Sequence, residues 1–218
     1  MSNPLVSIII PSRDRPTGLL RTIVSVLLTT RYYQVEIIPV LDVPDVESQA
    51  LMKCFLEFET VIMPESYVHG HPQQKFQAGY ENSNGDWIVS GSDDITFHTG
   101  WLDAMLAHPN KGYIGFYDDL YQGKLATLVM ANRSYIETTM NGRFGLPWYH
   151  VHGSDAEFQD RAKAVGAFTI CEDAGFDHHR SDVTPDKLRK FGRQFHTKDD
   201  ATYVQRRKAG FPEDWPEA

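Results

Sequence analysis

The most constraining feature of this sequence is a β-branched run that ends abruptly on proline. Residues 5–10 read Leu-Val-Ser-Ile-Ile-Ile, and Pro11 stops them. A strand apolar on both faces is a strand covered on both faces, the signature of a central strand in a parallel sheet. After a polar Ser-Arg-Asp-Arg loop, Pro16 followed by Leu19, Leu20, Ile23, Val26 and Leu27 predicts an amphipathic helix. A second strand over residues 35–41 follows, with Asp42 at its carboxyl end. The pattern then predicts a helix over 46–58, a short strand over 60–63 and a helix over 73–82. Strand–helix alternation of this kind predicts an α/β fold, a mostly parallel sheet with helices on both faces. Right-handed crossovers place Pro11, Asp42 and Asp93 along one edge.

The stretch Gly85-Asp86-Trp87-Ile88-Val89-Ser90-Gly91-Ser92-Asp93-Asp94 is the next strand, and it delivers two adjacent carboxylates to that edge. Ligands of open α/β sheets bind outside the carboxyl ends of strands. Neighbouring side chains on extended backbone diverge, so one acid is expected to face a cation and the other a hydroxyl or water. A solvated turn is the alternative.

The second half is less regular. Strands are expected over 113–117 and 125–131, and a helix over 134–140 with Ser134 as N-cap. A Gly- and aromatic-rich loop over 142–153 carries Trp148, Tyr149, His150 and His152. Ser154 is expected to cap a helix reaching about residue 165, with Glu157 at the capping-box position. A late strand over 168–171 leads to Asp177-His178-His179-Arg180. The tail from Asp186 is charged and partly helical, with a loose end over 212–218.

Composition narrows the function. A chain of 218 residues supports one sizeable core. A net charge of −8 gives no support to nucleic-acid binding through bulk electrostatics. Two distant cysteines, Cys54 and Cys171, imply reduced thiols, not a disulfide framework. With no basic, apolar leader and no apolar run of membrane-spanning length, the expected location is cytoplasmic.

The order of these pieces resembles the family 2 glycosyltransferases with the GT-A fold. Residues 6–16, with Pro11-Ser12-Arg13-Asp14-Arg15, are similar to that family's opening strand and Pro-Thr-Tyr-Asn-Arg loop. Val40-Leu41-Asp42 resembles the end of the strand whose Asp reads the base, and Gln77-Ala78-Gly79 falls at an Asn-x-Gly position. Gly85-Asp86-Trp87-Ile88, Ser92-Asp93-Asp94 and Trp101-Leu102 are similar to the DxD region, with Ser92 in place of its first Asp. Asn132-Arg133-Ser134, Gly142-Arg143-Phe144 and Gly153-Ser154-Asp155, followed by Arg161-Ala162, resemble later segments, with Ser154 replacing a Glu.

The resemblance implies a single GT-A domain over residues 1–180, with a nucleotide half over 1–95 and an acceptor half over 96–180, then a tail over 181–218. It implies a metal-dependent, inverting transfer of sugar from a nucleotide sugar, a UDP-sugar being favoured. The acceptor is a hydroxyl on an unspecified glycan, protein, lipid or small molecule. Asp94 becomes the ligand of Mn²⁺ or Mg²⁺, joined by His178, which alternates with His179 in facing. Asp155 becomes the general base. Pro11, Ser12, Arg13, Arg15, Asp42, Gln77 and Asp93 line the nucleotide sugar. Trp148, Tyr149 and His152 are expected on the acceptor side as a sugar-stacking lid.

Each role has a plainer counterpart. Arg15 also suits an ion pair, Trp148 a core, the His pair a polar surface, and Asp118 and Asp119 a solvated loop. A catalytically decayed binding module is the rival that Ser92 and Ser154 favour. A nucleotidyltransferase ranks lower, because the loop after the first strand lacks a glycine run.

Overall fold

The computed structural model describes residues 4–55, 57–64, 71–109, 112–179 and 186–217. The first half runs β1 (Val6–Pro11), α1 (Pro16–Thr29), β2 (Val35–Asp42), α2 (Val46–Met52), β3 (Val61–Met63), α3 (Pro72–Glu81) and β4 (Trp87–Ser90). It continues through β5 (Ile95–Phe97), α4 (Trp101–Ala107), β6 (Tyr113–Phe116), β7 (Val129–Asn132) and α5 (Arg133–Thr139). It closes with α6 (Ser154–Ala164), β8 (Phe168–Cys171), β9 (Phe176–His178) and α7 (Asp186–Lys208).

One sheet has the order β3-β2-β1-β4-β7-β6-β8, and β5 pairs with β9 in a separate two-stranded ribbon. β1 pairs in parallel with β2 and β4, β2 with β3, and β6 with β8. β7 lies antiparallel between β4 and β6. The sheet is therefore mostly parallel, as the alternation predicts.

β1 is central because its alternate residues feed two cores. Ile8 and Ile10 face Leu19, Ile23 and Val26 of α1, together with Phe97, Trp101 and Leu102. Ile9 faces the opposite core with Ile38, Val40, Tyr80 and Ile88. Each fully buried side chain of this size contributes about 1.5–3 kcal/mol, so this strand anchors both layers.

Four local expectations are corrected. α2 ends at Met52 rather than 58, because Cys54 and Phe55 turn back on the carbonyls of Leu51 and Met52; Leu56 lies outside the described residues. The strand expected over 125–131 starts at Val129, because the Gln159 side chain holds the segment before it, Ala126 N–H donating to Gln159 Oε1 at 3.0 Å and Gln159 Nε2 donating to the Lys124 carbonyl at 2.9 Å. The N-cap of α5 is Asn132, whose Oδ1 accepts from Ser134 N–H at 3.0 Å. The N-cap of α6 is Gly153, at φ 86°, where a Cβ would meet the Tyr149 ring at 2.9 Å. Ser154 instead accepts from Gln73 Nε2 at 2.6 Å, and Glu157 makes no capping box.

The C-terminal segment is not loose. α7 packs on α6, and Tyr203 and Trp215 pack against the second core. Pro212 and Trp215 carbonyls accept from Arg206 and Trp148, and Glu213 pairs with Arg143 and Arg161. The expected boundary between 180 and 181 lies outside the described residues.

Candidate active site

The parallel register sets Pro11 opposite Val40, and Ser12 N–H continues the ladder to the Val40 carbonyl at 3.0 Å. Two residues on, Asp42 ends β2 fully buried. Lys75 of α3 meets Asp42 Oδ1 at 2.8 Å and donates to the Ser12 carbonyl at 2.6 Å. Arg13 Nε lies 3.6 Å from Asp42 Oδ2. Burial pulls the Lys75 ammonium below its usual range, and Asp42 opposes that pull. Lys75 was not anticipated from sequence. Its signal is a lysine on the buried face of a helix, beside Gln73.

After β4 the chain turns at Asp93 and Asp94. Arg15 spans both: one nitrogen pairs with Asp93 Oδ1, and Nη1 lies 3.3 Å from Asp94 Oδ2. Burial pushes the Asp93 carboxyl up to about 6, with Arg15 opposing and Asp94 adding to the rise. Burial also acts to raise Asp94, but His178, Arg15 and Ser92 outweigh it and hold that carboxyl well below the usual range. Ser92 Oγ donates to Asp94 Oδ1 at 2.5 Å, so the serine in the DxD-like segment orients the acid that remains.

The β5–β9 ribbon brings the distant histidines here by setting His178 opposite Ile95. His178 Nε2 lies 3.5 Å from Asp94 Oδ1. His179 gives its backbone N–H to the Asp94 carbonyl at 2.7 Å and turns its ring to Thr96 Oγ1 at 2.8 Å. The structure thus separates the pair: His178 faces the carboxylates and His179 faces away. Arg180 lies outside the described residues. Asp118, expected as a solvated loop acid, is buried beside them, with Oδ2 4.0 Å from His178 Nδ1. Asp119 is exposed.

Asp155 sits in the first turn of α6 and opens on a cleft lined by Gln73, Phe76, Tyr113, Thr127, Phe144 and Phe158. Burial raises its carboxyl above the ordinary range, against the Ala156 N–H at 2.9 Å and nearby His152. The wall of that cleft beside Asp155 includes Phe158.

Three expected ligand-facing residues are placed otherwise. Gln77 Oε1 accepts from Phe144 and Gly145 N–H at 2.9 and 3.2 Å, so it pins the loop over 142–145. Trp148 is 2 % exposed beneath Arg206, whose guanidinium lies 3.5 Å from its ring centre. Tyr149 is 1 % exposed and donates its hydroxyl to Glu157 Oε2 at 2.7 Å. Neither ring can stack on a sugar from there. His152 is partly exposed, and its backbone N–H, with those of His150 and Val151, donates to buried Asp199 of α7. Asp199 and Arg206 were missed because nothing near them in sequence signals their partners.

Among the described residues, no three His, Cys, Asp or Glu side chains converge as a complete metal-binding cluster. Asp94 and His178 form a two-donor face of carboxylate oxygen and imidazole. That donor set fits a divalent cation whose remaining ligands are substrate phosphate and water, and not an all-protein cage. No helix among the described residues is long and apolar enough to cross a membrane.

No curated protein matches the chain significantly. The fold is shared with solved glycosyltransferases. A mannosyltransferase from Pyrobaculum calidifontis, in complex with GDP-Man and Mn²⁺, superposes at TM-score 0.68 with 13 % identity, over 99 % of this chain and 67 % of that one. Glucosyl-3-phosphoglycerate synthase from Mycobacterium tuberculosis, with Mn²⁺, UDP and phosphoglyceric acid, superposes at 0.66 with 15 % identity, over 97 % and 80 %. The same synthase with Mn²⁺, UDP-Glc and phosphoglyceric acid superposes at 0.65 with 15 % identity, over 99 % and 88 %. The family model of glycosyl transferase family 2 matches residues 7–164, from the first residues of β1 to the last turn of α6. That span holds Asp42, Asp93, Asp94 and Asp155, and the chain belongs to glycosyl transferase family 2, a glycosyltransferase with the GT-A fold.

Proposed function

We propose that this glycosyltransferase moves a sugar from a nucleotide sugar, a UDP-sugar being favoured, to an acceptor hydroxyl, with inversion and with a divalent cation. The observation that carries the reading is a chain of contacts beyond the carboxyl ends of β2 and β4: Lys75 and Arg13 on Asp42, Arg15 across Asp93 and Asp94, and His178 of the β5–β9 ribbon on Asp94. The neighbours that hold Mn²⁺ or Mg²⁺ with UDP, or Mn²⁺ with GDP-Man, support the cation and the nucleotide diphosphate by likeness of fold.

In this reading Asp42, steered by Lys75 and Arg13, accepts from the N–H groups of the base. Pro11 and Ser12 form the wall beside it, and Asp93 takes the ribose. Arg15 offers positive charge to the diphosphate. Asp94 and His178 would hold the cation, Mn²⁺ or Mg²⁺, which when bound would supply neutralisation of the negative charge on a leaving diphosphate. Asp155 takes the acceptor proton; its raised basicity suits that task better than an exposed aspartate would. One carboxylate on the acceptor side implies direct displacement and hence inversion. His152, partly exposed just before α6, takes the acceptor side in this reading.

The test is calorimetric titration of UDP with and without Mn²⁺, followed by a screen of UDP, GDP and dTDP sugars for nucleotide release. Tighter UDP binding with Mn²⁺ and release from a UDP-sugar are expected. Metal-independent or absent UDP binding overturns the metal-dependent UDP reading. Binding with no turnover of any donor points to a sugar-nucleotide binding module.

A further inference from the structure

The His178 ring is flanked on both nitrogens. Nε2 faces Asp94 Oδ1 at 3.5 Å, and Nδ1 faces Asp118 Oδ2 at 4.0 Å. Asp118 is not a loosely placed loop acid. It is 5 % exposed, its Oδ1 accepts from Leu120 N–H at 2.8 Å, and its Oδ2 accepts from Thr127 Oγ1 at 2.7 Å. The Leu120 and Thr127 donors orient the carboxylate so that Oδ2 is the oxygen turned to the imidazole. The His178 ring is confined on its other side by Phe176, 5.9 Å between ring centres, and by the β5–β9 pairing. Thr127 also lines the cleft of Asp155, so one short segment touches both ends of the site.

We propose that Asp118 is a positioning residue for His178. It holds the ring by its Nδ1–H and so presents the Nε2 lone pair to a divalent cation shared with Asp94. A metal-binding imidazole needs its second nitrogen tied to an acceptor, since that bond fixes both the tautomer and the ring plane. The gap of 4.0 Å closes by a small rotation of the ring, and such contacts tighten when the ligand arrives. Asp118 does not itself touch the substrate. The proposal rests on the cation reading given above.

The experiment measures Mn²⁺ affinity by electron paramagnetic resonance at saturating UDP, alongside metal-free UDP affinity, for the wild type and three variants. Asp118→Asn is expected to weaken Mn²⁺ about 10- to 100-fold while leaving metal-free UDP affinity unchanged. Thr127→Val, which frees one side of the carboxylate, gives a smaller loss, and Asp118→Glu recovers part of the affinity. His178→Ala sets the scale, because Asp118→Asn in its background costs nothing further. Asp118→Asn that binds Mn²⁺ within twofold of wild type overturns the proposal and leaves the cation reading standing. Equal losses in Mn²⁺ and metal-free UDP affinity overturn it as well, since they mark general damage. A wild-type protein that binds no Mn²⁺ with UDP overturns the cation reading and this proposal together.

Discussion

Arg206 of α7 closes on Glu157 of α6 with two nitrogens, Nε to Oε2 at 2.8 Å and Nη2 to Oε1 at 2.7 Å, and both side chains are fully buried. Glu157 lies within one helical turn of Asp155, and the pair joins α7, outside the family match, to the helix that carries the proposed base. Two planar groups in a bidentate pair fix angle as well as distance. The Tyr149 hydroxyl satisfies the same carboxylate, and the Trp148 ring underlies the guanidinium.

Removing Glu157 strands the buried Arg206 guanidinium, and removing Arg206 leaves Glu157 to Arg161, 3.5 Å away; breaking such a pair costs more than the pair contributes when intact. Arg206→Ala and Glu157→Ala are each expected to destabilise the protein by about 3–5 kcal/mol in urea unfolding. The double variant is expected to lose less than the sum of the two. Strict additivity in that cycle would show that the pair is not coupled.

Asp155→Asn separates chemistry from folding. Burial raises the Asp155 carboxyl, so the native state binds its proton more tightly than the unfolded chain does. The ionised form therefore costs stability at pH 7, and the cost fades as pH falls towards the ordinary carboxylate value. Asn removes the cost. The variant is expected to melt higher than wild type at pH 7 and to lose that advantage near pH 4. Transfer should fall by about 10²–10⁴-fold with UDP affinity kept. Near wild-type transfer would remove Asp155 from the role of base.

A second pH dependence belongs to Asp93. Its carboxyl is pushed up to about 6 by burial, with Asp94 adding and Arg15 opposing. A raised folded value means stability is lost as pH rises through about 6 and regained below it. Relative to Asp93→Asn, the wild type is expected to gain stability as pH falls from 7 to 5. Asp94, held low, keeps its stabilising contribution across that window and loses it only in stronger acid. Melting temperatures of the two proteins across this range give the answer; parallel curves would mean Asp93 titrates at its ordinary value.

Much of this was legible in the chain itself. The Val6–Pro11 strand, the proline-started α1 and the strands ending at Asp42 and Ser90 follow from local apolar pattern and breakers, which need no partner to be read. So did the acids at the sheet edge, because crossover handedness and strand ends fix where such residues emerge. The caps of α5 and α6 moved by two residues and one: Asn132 Oδ1 takes the Ser134 N–H, and Gly153 supplies the left-handed backbone before α6 while the Ser154 hydroxyl turns to Gln73.

What only the tertiary structure decided is who stands beside whom. Lys75 beneath Asp42, Asp118 behind His178, and Asp199 and Arg206 under the loop of residues 148–152 are pairings across 33 to 60 residues of chain. Trp148 and Tyr149 read equally well as an aromatic lid or as core, and it is the returning α7 that makes them core. Sequence specifies the propensity of each segment through its own backbone and side chains. The site depends on which buried charges meet, and that is settled only when the packed chain leaves each of them a partner.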